Sequence, residues 1–386
     1  MSAPRIFTVA AEPSGDLLAL EVITVIRQKQ PDAIFEGIGG EETEKAGIIS
    51  PIDVSPLSVF GMLAGLKIYG TVIKLADAAV DAIIAFDPDI VVLIDSWGFM
   101  VRVAERLRKR APQIKIVKLV GPQVWATRPG RAKTMARLVD HMICIHAMEA
   151  PYYEPLGLPV TVMGNPALSR AQPGNPAALH AATGLAPDQP ILLVLPGSRQ
   201  SEIELTAPAL VEAARLIKAA RSDITVVFAP APSVRDAFTA RFPNSGLIGL
   251  TAPRHVDRYD IMASADYALA CSGTVTSELA VQGVPFLVGY RAGWFTYFLV
   301  RKFLYKLVHV TLLNIAADDT AIVPEFVQDE LNPEAMAKTA LAILNDPEAR
   351  VAQLAAQEKA LSRMGEGDQN APDIAAEAIL SVLSAP

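Results

Sequence analysis

Apolar runs of strand length recur along this chain in two sets, and that recurrence limits the fold more than any other feature. The first set is Ile6–Ala10, Ile90–Ile94, Ile114–Leu119 and His141–Ile145; the second is Ile191–Leu195, Ile224–Ala229, Tyr267–Cys271 and Pro285–Val288. Stretches with helical spacing, such as Met100–Arg110 and Ala207–Ala220, lie between them. This alternation predicts parallel sheets covered by helices: an α/β chain built as two Rossmann-like domains facing one another across a cleft. Between the sets lies "GNPALSRAQPGNPAALHAATGLAPDQP", rich in Pro, Gly and Ala and without apolar periodicity. The expected division is an N-terminal domain over 1–165, a linker over 166–190, a second domain over 191–340 and C-terminal helices over 341–386. The last part is Ala-rich from about Pro333, with no further strand signal.

A length of 386 residues suits two cores better than one. Hydrophobic residues make up 51% and charged residues 19%, ample for burial, and a mean hydropathy of +0.32 leans toward apolar surface. No uncharged apolar run reaches the roughly 18 residues of a spanning helix, and no basic segment followed by a hydrophobic stretch opens the chain. The expectation is a cytoplasmic protein. Cys144 and Cys271 each sit in a strand-like run, which suits reduced core thiols rather than a disulfide or zinc site. A net charge of −7 argues against a nucleic-acid partner.

The first strand runs directly into "AEPSGD" at Ala11–Asp16. In an α/β domain that turn lies at a strand's carboxyl end, where ligands bind and the next helix offers free N–H groups. It lacks the G-x-G-x-x-G of a dinucleotide site, and Asp16 also suits a helix cap. In the second half, "LPGSRQSEIE" puts Arg199 at a strand end beside a helix start. That arrangement fits a diphosphate, as well as an ordinary Pro-Gly turn. "ACSGTVTSELAVQGVP" places Ser272, Gly273, Thr274 and Thr276 in a hydroxyl-rich loop opening a helix that carries Glu278. Small residues there permit close phosphate approach and the carboxylate suits two ribose hydroxyls; the same residues nearly form a capping box. Together the two loops favour a nucleotide diphosphate over two coincident caps.

The motifs "AAEPSGD", "GIGGEETEKAG", "VFGMLAGL", "VGPQVWATRPGRAKTMARLVDHMI", "PYYEPLGLPVTVMGNP", "LPGSRQSEIE", "CSGTVTSELAVQGVPFLVGYR" and "VPEFVQDE" occur in the order found in lipid A disaccharide synthases. The chain resembles that family over nearly its whole length. The resemblance implies an inverting glycosyltransferase of the GT-B type, with no metal or other cofactor. The donor would be UDP-2,3-diacylglucosamine and the acceptor 2,3-diacylglucosamine 1-phosphate, joined as a β-1,6 disaccharide. UDP would sit in the C-terminal domain, and the resemblance adds Asn314 and Glu325 to its site. The enzyme would be peripheral at the inner face of the bacterial inner membrane. The chain departs from the family where IDAPDFN is usual. Here "IDSWGFM" keeps Asp95 but has Gly98 for the second acid and Met100 for Asn, and "GNP" puts Asn165 where His is expected. These changes keep open a different lipid acceptor or a non-catalytic binder, and the two-domain scaffold a UDP-sugar epimerase.

Asp95, at the end of "VVLID", is expected to be the base that takes the acceptor proton, with Glu12 as its carboxylate partner. Ser14, Asp16, Trp125 and Asn165 are expected at the acceptor. Arg128, Arg131 and Lys133 behind Trp125 suit an acyl-phosphate headgroup or simply a solvated basic face. His141, His146, His255 and His309 have no metal-ligand spacing. "GWFTYFLVRKFLYKLVHV" is strongly apolar, but Arg301, Lys302 and Lys306 interrupt it. It reads as an interfacial helix with snorkelling cations or as a buried core helix.

Overall fold

The computed structural model describes residues 3–58, 62–125, 128–292, 308–365 and 370–385, with the side chains of 58 and 62–69 excepted. The apolar segment at 293–307 lies outside the described residues. The chain divides into two compact units, Met1–Pro166 with Gly367–Pro386, and Ala167–Glu366.

The first unit holds a six-stranded parallel sheet of β1 (Arg5–Ala10), β2 (Ile34–Ile38), β3 (Ile90–Ile94), β4 (Lys115–Leu119), β5 (His141–Cys144) and β6 (Val160–Val162), in the order β2-β1-β3-β4-β5-β6. β1 and β3 run side by side with Ile6 opposite Ile90 and Ala10 opposite Ile94. Every residue of β3 is buried, because helices cover both faces. On one face Pro13–Lys29 presents Leu18, Val22 and Ile26 to Ile6, Val117 and Ile143. On the other, Trp97–Arg110 presents Phe99, Val103 and Leu107 to Val91, Leu93 and Ile116. Each fully buried Ile, Leu or Val contributes about 1.5–3 kcal/mol.

The second unit repeats the plan with β7 (Ile191–Leu195), β8 (Thr225–Phe228), β9 (Gly249–Thr251), β10 (Tyr267–Cys271), β11 (Phe286–Tyr290) and β12 (Glu325–Val327), in the order β12-β11-β10-β7-β8-β9. All pairings are parallel. Both sheets therefore have one place where the strand order reverses, beside β1 and β3 in the first and between β7 and β10 in the second. Loops leaving neighbouring strands there diverge to opposite faces and open a crevice at the carboxyl ends.

The α/β expectation holds, and two details of the expected division change. The connecting segment is not a free linker. It forms helices Pro166–Arg170 and Pro176–Thr183, with Leu168 and Leu179 buried in the second unit's core. Gly174 presses on the backbone, where a Cβ would lie 2.1 Å from the Tyr259 carbonyl oxygen, and its N–H donates to Gln282 Oε1 at 2.8 Å. The C-terminal helices also separate. Pro347–Arg363 stays with the second unit, where the buried Gln353 and Gln357 donate to the Phe286 and Val284 carbonyls at 2.6 and 3.0 Å. Ala371–Ser384 belongs to the first unit: Ala375, Ala376 and Ile379 pack with Ile23 and Ile26, and Lys29 pairs with Glu377 at 2.8 Å. Cys144 and Cys271 are buried and free. Among the described residues no helix is long and apolar enough to cross a membrane.

Candidate active site

In the first unit the crevice is occupied by acids. Glu12 is the residue before helix Pro13–Lys29, with extended backbone and no capping bond from its side chain. Asp95 and Ser96 follow β3 as consecutive residues in the left-handed region, at φ 50° and 38°. A non-glycine pair held this way persists only where its surroundings over-determine it. Here the Asp95 N–H donates to the Leu119 carbonyl at 2.9 Å, and Lys118 reaches up from β4 to hold the turn. The Lys118 side chain is 1% exposed, and its Nζ donates to the carbonyls of Asp95, Leu119 and Val120 at 2.7, 3.2 and 2.7 Å. Val120 is itself left-handed, at φ 64°. Burial and the Asp95 carboxylate raise the Glu12 carboxyl above its usual range, while the Ser96 hydroxyl and Lys118 pull it back. The structure thus brings Glu12 and Asp95 together. Lys118 was not singled out from sequence; its only signal is a cation inside the apolar run "KIVKLV".

The other residues expected at the acceptor are placed differently. Ser14 is exposed in the first turn of its helix. Asp16 is 4% exposed, and its carboxylate is engaged by the loop and short helix at residues 40–43 rather than capping its own helix. Its Oδ1 accepts from the Gly40 N–H, the Thr43 N–H and the Thr43 hydroxyl at 2.9, 3.3 and 2.8 Å, and its Oδ2 from the Glu42 N–H at 2.8 Å. It thereby caps the neighbouring short helix Glu41–Lys45 and pins "GIGGEET" to the first turn. Trp125 is buried and meets the His146 ring edge-on at 6.3 Å; its indole N–H has no partner among the described residues. Burial pushes His146 down to about 4, so its ring is neutral near pH 7. Arg131 stacks over Trp97, 4.7 Å from the ring centroid, while Arg128 and Lys133 are exposed. Asn165 is half-buried at the end of the unit. Of the positions that depart from the family pattern, Gly98 faces open space and Met100 is fully buried in the core.

The second unit has a pocket of about 720 Å³ at the carboxyl ends of β7 and β10, lined by Gly197, Ser198, Ser272, Gly273, Thr274 and Glu278 among others. Both predicted loops therefore meet at one cavity. Gly197 sits at φ 129°, and a Cβ there would lie 2.6 Å from the Glu202 Cβ. The reason is that Glu202, 4% exposed, folds back under the turn. Its Oε2 accepts from the Ser198 and Arg199 N–H groups at 2.7 and 3.2 Å, and its Oε1 from Arg199 Nη1 at 3.0 Å. Arg199 itself is 75% exposed and does not line the pocket. Thr276 is buried, its hydroxyl donating to the Gly273 carbonyl at 2.8 Å, so it shapes the loop rather than lining the cavity. Glu278 lines the pocket and pairs with Arg258 at 2.9 Å; burial raises its carboxyl and Arg258 lowers it. Arg235 and Arg254 also line the cavity, so with Arg258 three cations stand there that no local motif marks.

Asn314 and Glu325 lie together but away from the pocket lining. Asn314 is fully buried and donates from Nδ2 to the Val323 carbonyl and Glu325 Oε1 at 2.8 and 2.9 Å. Glu325, at the start of β12, accepts from the Val310 and Thr311 N–H groups at 2.9 and 2.7 Å. The pair closes the loop before helix Leu312–Ala316.

The fold recurs in solved structures. A putative UDP-N-acetylglucosamine 2-epimerase from Listeria monocytogenes aligns with a TM-score of 0.61 at 18% identity, covering 99% of this chain and 96% of that one. A glycosyltransferase from Rickettsia africae gives 0.55 at 12% identity, covering all of both chains. These likenesses establish the fold. Sequence comparison goes further. The chain is 34% identical over 381 residues to the lipid-A-disaccharide synthase of Rhodospirillum centenum, covering 98% of this chain and 94% of that one. It is 36% identical over 389 residues to that of Ruegeria pomeroyi, covering 98% and 95%. The family model described as lipid-A-disaccharide synthetase matches residues 6–379. With this match running through both sheets and both crevices, the chain belongs to the lipid-A-disaccharide synthetase family.

Proposed function

We propose that this protein transfers a diacylglucosamine from UDP-2,3-diacylglucosamine to 2,3-diacylglucosamine 1-phosphate, with inversion, forming the β-1,6 lipid A disaccharide and releasing UDP. Family membership over nearly the whole chain carries this reading. The two crevices supply its chemistry. The second unit's pocket takes UDP, with the small Ser272–Thr274 loop against the phosphates and Glu278 available to the ribose hydroxyls. The pocket-lining Arg235, Arg254 and Arg258 balance the charge that develops on the departing diphosphate, with Arg199 at the rim of the same loop.

In the first unit Asp95 takes the proton from the acceptor hydroxyl as that oxygen bonds to the donor's anomeric carbon. The bond from that carbon to the diphosphate oxygen breaks on the opposite side, so configuration inverts. Glu12, beside Asp95 and carrying a raised carboxyl, orients Asp95 or hydrogen-bonds the acceptor sugar. Trp125 and Asn165 belong to the acceptor side of the reading.

UDP release measured with and without lipid acceptor tests the proposal. Release that depends on acceptor supports transfer. Release of UDP or epimerised sugar without acceptor supports the epimerase reading suggested by fold likeness. No turnover with intact UDP binding leaves a non-catalytic binder. The lipid substrates also require a membrane surface, and the apolar, cation-interrupted run at 293–310 supports peripheral attachment at the inner face of the inner membrane. Flotation with anionic liposomes tests this; a protein that stays in the soluble fraction at low salt refutes it.

A further inference from the structure

Lys118 is the fully buried cation of the first crevice, and nothing in the general chemistry of a base-assisted transfer requires one there. Its ammonium has three N–H donors, and three carbonyls take them: Asp95 at 2.7 Å, Leu119 at 3.2 Å and Val120 at 2.7 Å. Two of those carbonyls belong to left-handed residues at the ends of neighbouring strands, Asp95 and Val120. The ammonium therefore ties together the backbone that aims Asp95. The titratable groups that act on it are Glu12 before the first helix, Asp95 after β3, Cys144 on β5 and Glu149 beyond β5. Burial pulls the ammonium down and these neighbours offset part of that, leaving it at about 8, so the side chain stays protonated near pH 7.

From this geometry we infer that Lys118 is a positioning residue for the proposed reaction, which both fixes the left-handed turn presenting Asp95 and sets a positive charge beside Glu12 and Asp95. The inference rests on the reading of Asp95 as the base. Neutral replacement removes the cation that pulls the Glu12 carboxyl down, so Glu12 holds a proton beside Asp95 to a higher pH and the acid limb of turnover moves with it. A purely structural lysine would change stability or overall rate and leave the pH dependence where it was.

The test uses the full-length protein and the pH profile of kcat for UDP release with lipid acceptor. In Lys118→Met and in Lys118→Gln, the acid limb is expected to move up by about one pH unit or more, the range for a lost opposite charge. The maximal kcat should fall by about 10–100-fold, because the turn also loses its donors, while UDP affinity stays within about twofold. Lys118→Gln keeps amide donors for the carbonyls, so it remains informative where Lys118→Met fails to fold. Lys118→Arg keeps the charge and should leave the limb within about 0.3 pH units of wild type. A limb that does not move in the neutral variants overturns the inference, as does an equal shift in Lys118→Arg. Asp95→Asn separates the underlying reading: if it turns over at the wild-type rate, Asp95 is not the base and that reading fails, whatever the Lys118 variants show.

Discussion

Asp16 offers a direct test of what the first turn is for. Removing its carboxylate with Asp16→Ala strands four donors, but not all equally. Gly40 is exposed and Glu42 half-buried, so their N–H groups reach water when the carboxylate leaves. Thr43 is 1% exposed, and both its N–H and its hydroxyl lose the only acceptor that, among the described residues, reaches them from outside their own loop. Each stranded buried donor costs about 1–3 kcal/mol, which for the two Thr43 donors puts Asp16→Ala at about 2–6 kcal/mol of lost stability. Asp16→Asn keeps one oxygen, which can turn to the three-donor side held by Oδ1 and forfeit only the Glu42 bond and the charge. It should lose about 1–2 kcal/mol. Urea unfolding followed by circular dichroism measures both, and UDP affinity in the second unit should not change in either. If Asp16→Ala loses less than about 1 kcal/mol while turnover collapses, the carboxylate acts on the acceptor and the structural account is wrong.

Asp95→Asn should reduce turnover by about 10²–10⁴-fold with UDP affinity within about threefold of wild type; a fully active variant assigns the base elsewhere. Gly197→Ala forces a side chain into a left-handed position already filled by Glu202. It should cost about 1–3 kcal/mol in thermal unfolding and weaken UDP binding by calorimetry, because Ser198 lines the pocket. Burial raises the Glu149 carboxyl to about 7, so the proton it holds when folded contributes stability that is complete below its ordinary pKa and lost as pH rises to about 7. Glu149→Gln removes that dependence. Relative to the variant, wild type should lose stability between about pH 4.5 and pH 7 in urea titrations, and a constant difference across that window refutes it.

The sequence by itself determined the α/β class and the central strands, because strands covered on both faces must be apolar throughout. β3, β7 and β10 are buried at every position and were read directly. The four strands that sequence did not reveal are the four sheet edges: β2, β6, β9 and β12. β6, β9 and β12 have no buried position, and β2 is buried only at its last two, so no apolar run marks them. The same divide runs through the sites. Sequence located both loops that meet at the second unit's pocket, since small residues and hydroxyls between a strand and a helix announce themselves locally. It could not assign tasks that depend on partners far along the chain. Asp16 is committed to residues 40–43, and the terminal helix Ala371–Ser384 returns to cover the first. Lys118 reads as one more charged residue until β3 and β4 are paired in register, Leu93 opposite Lys118, and its ammonium meets the Asp95 turn. Only tertiary structure decides such roles, because a buried charge is tolerated only where groups distant in sequence satisfy all of its hydrogen bonds at once.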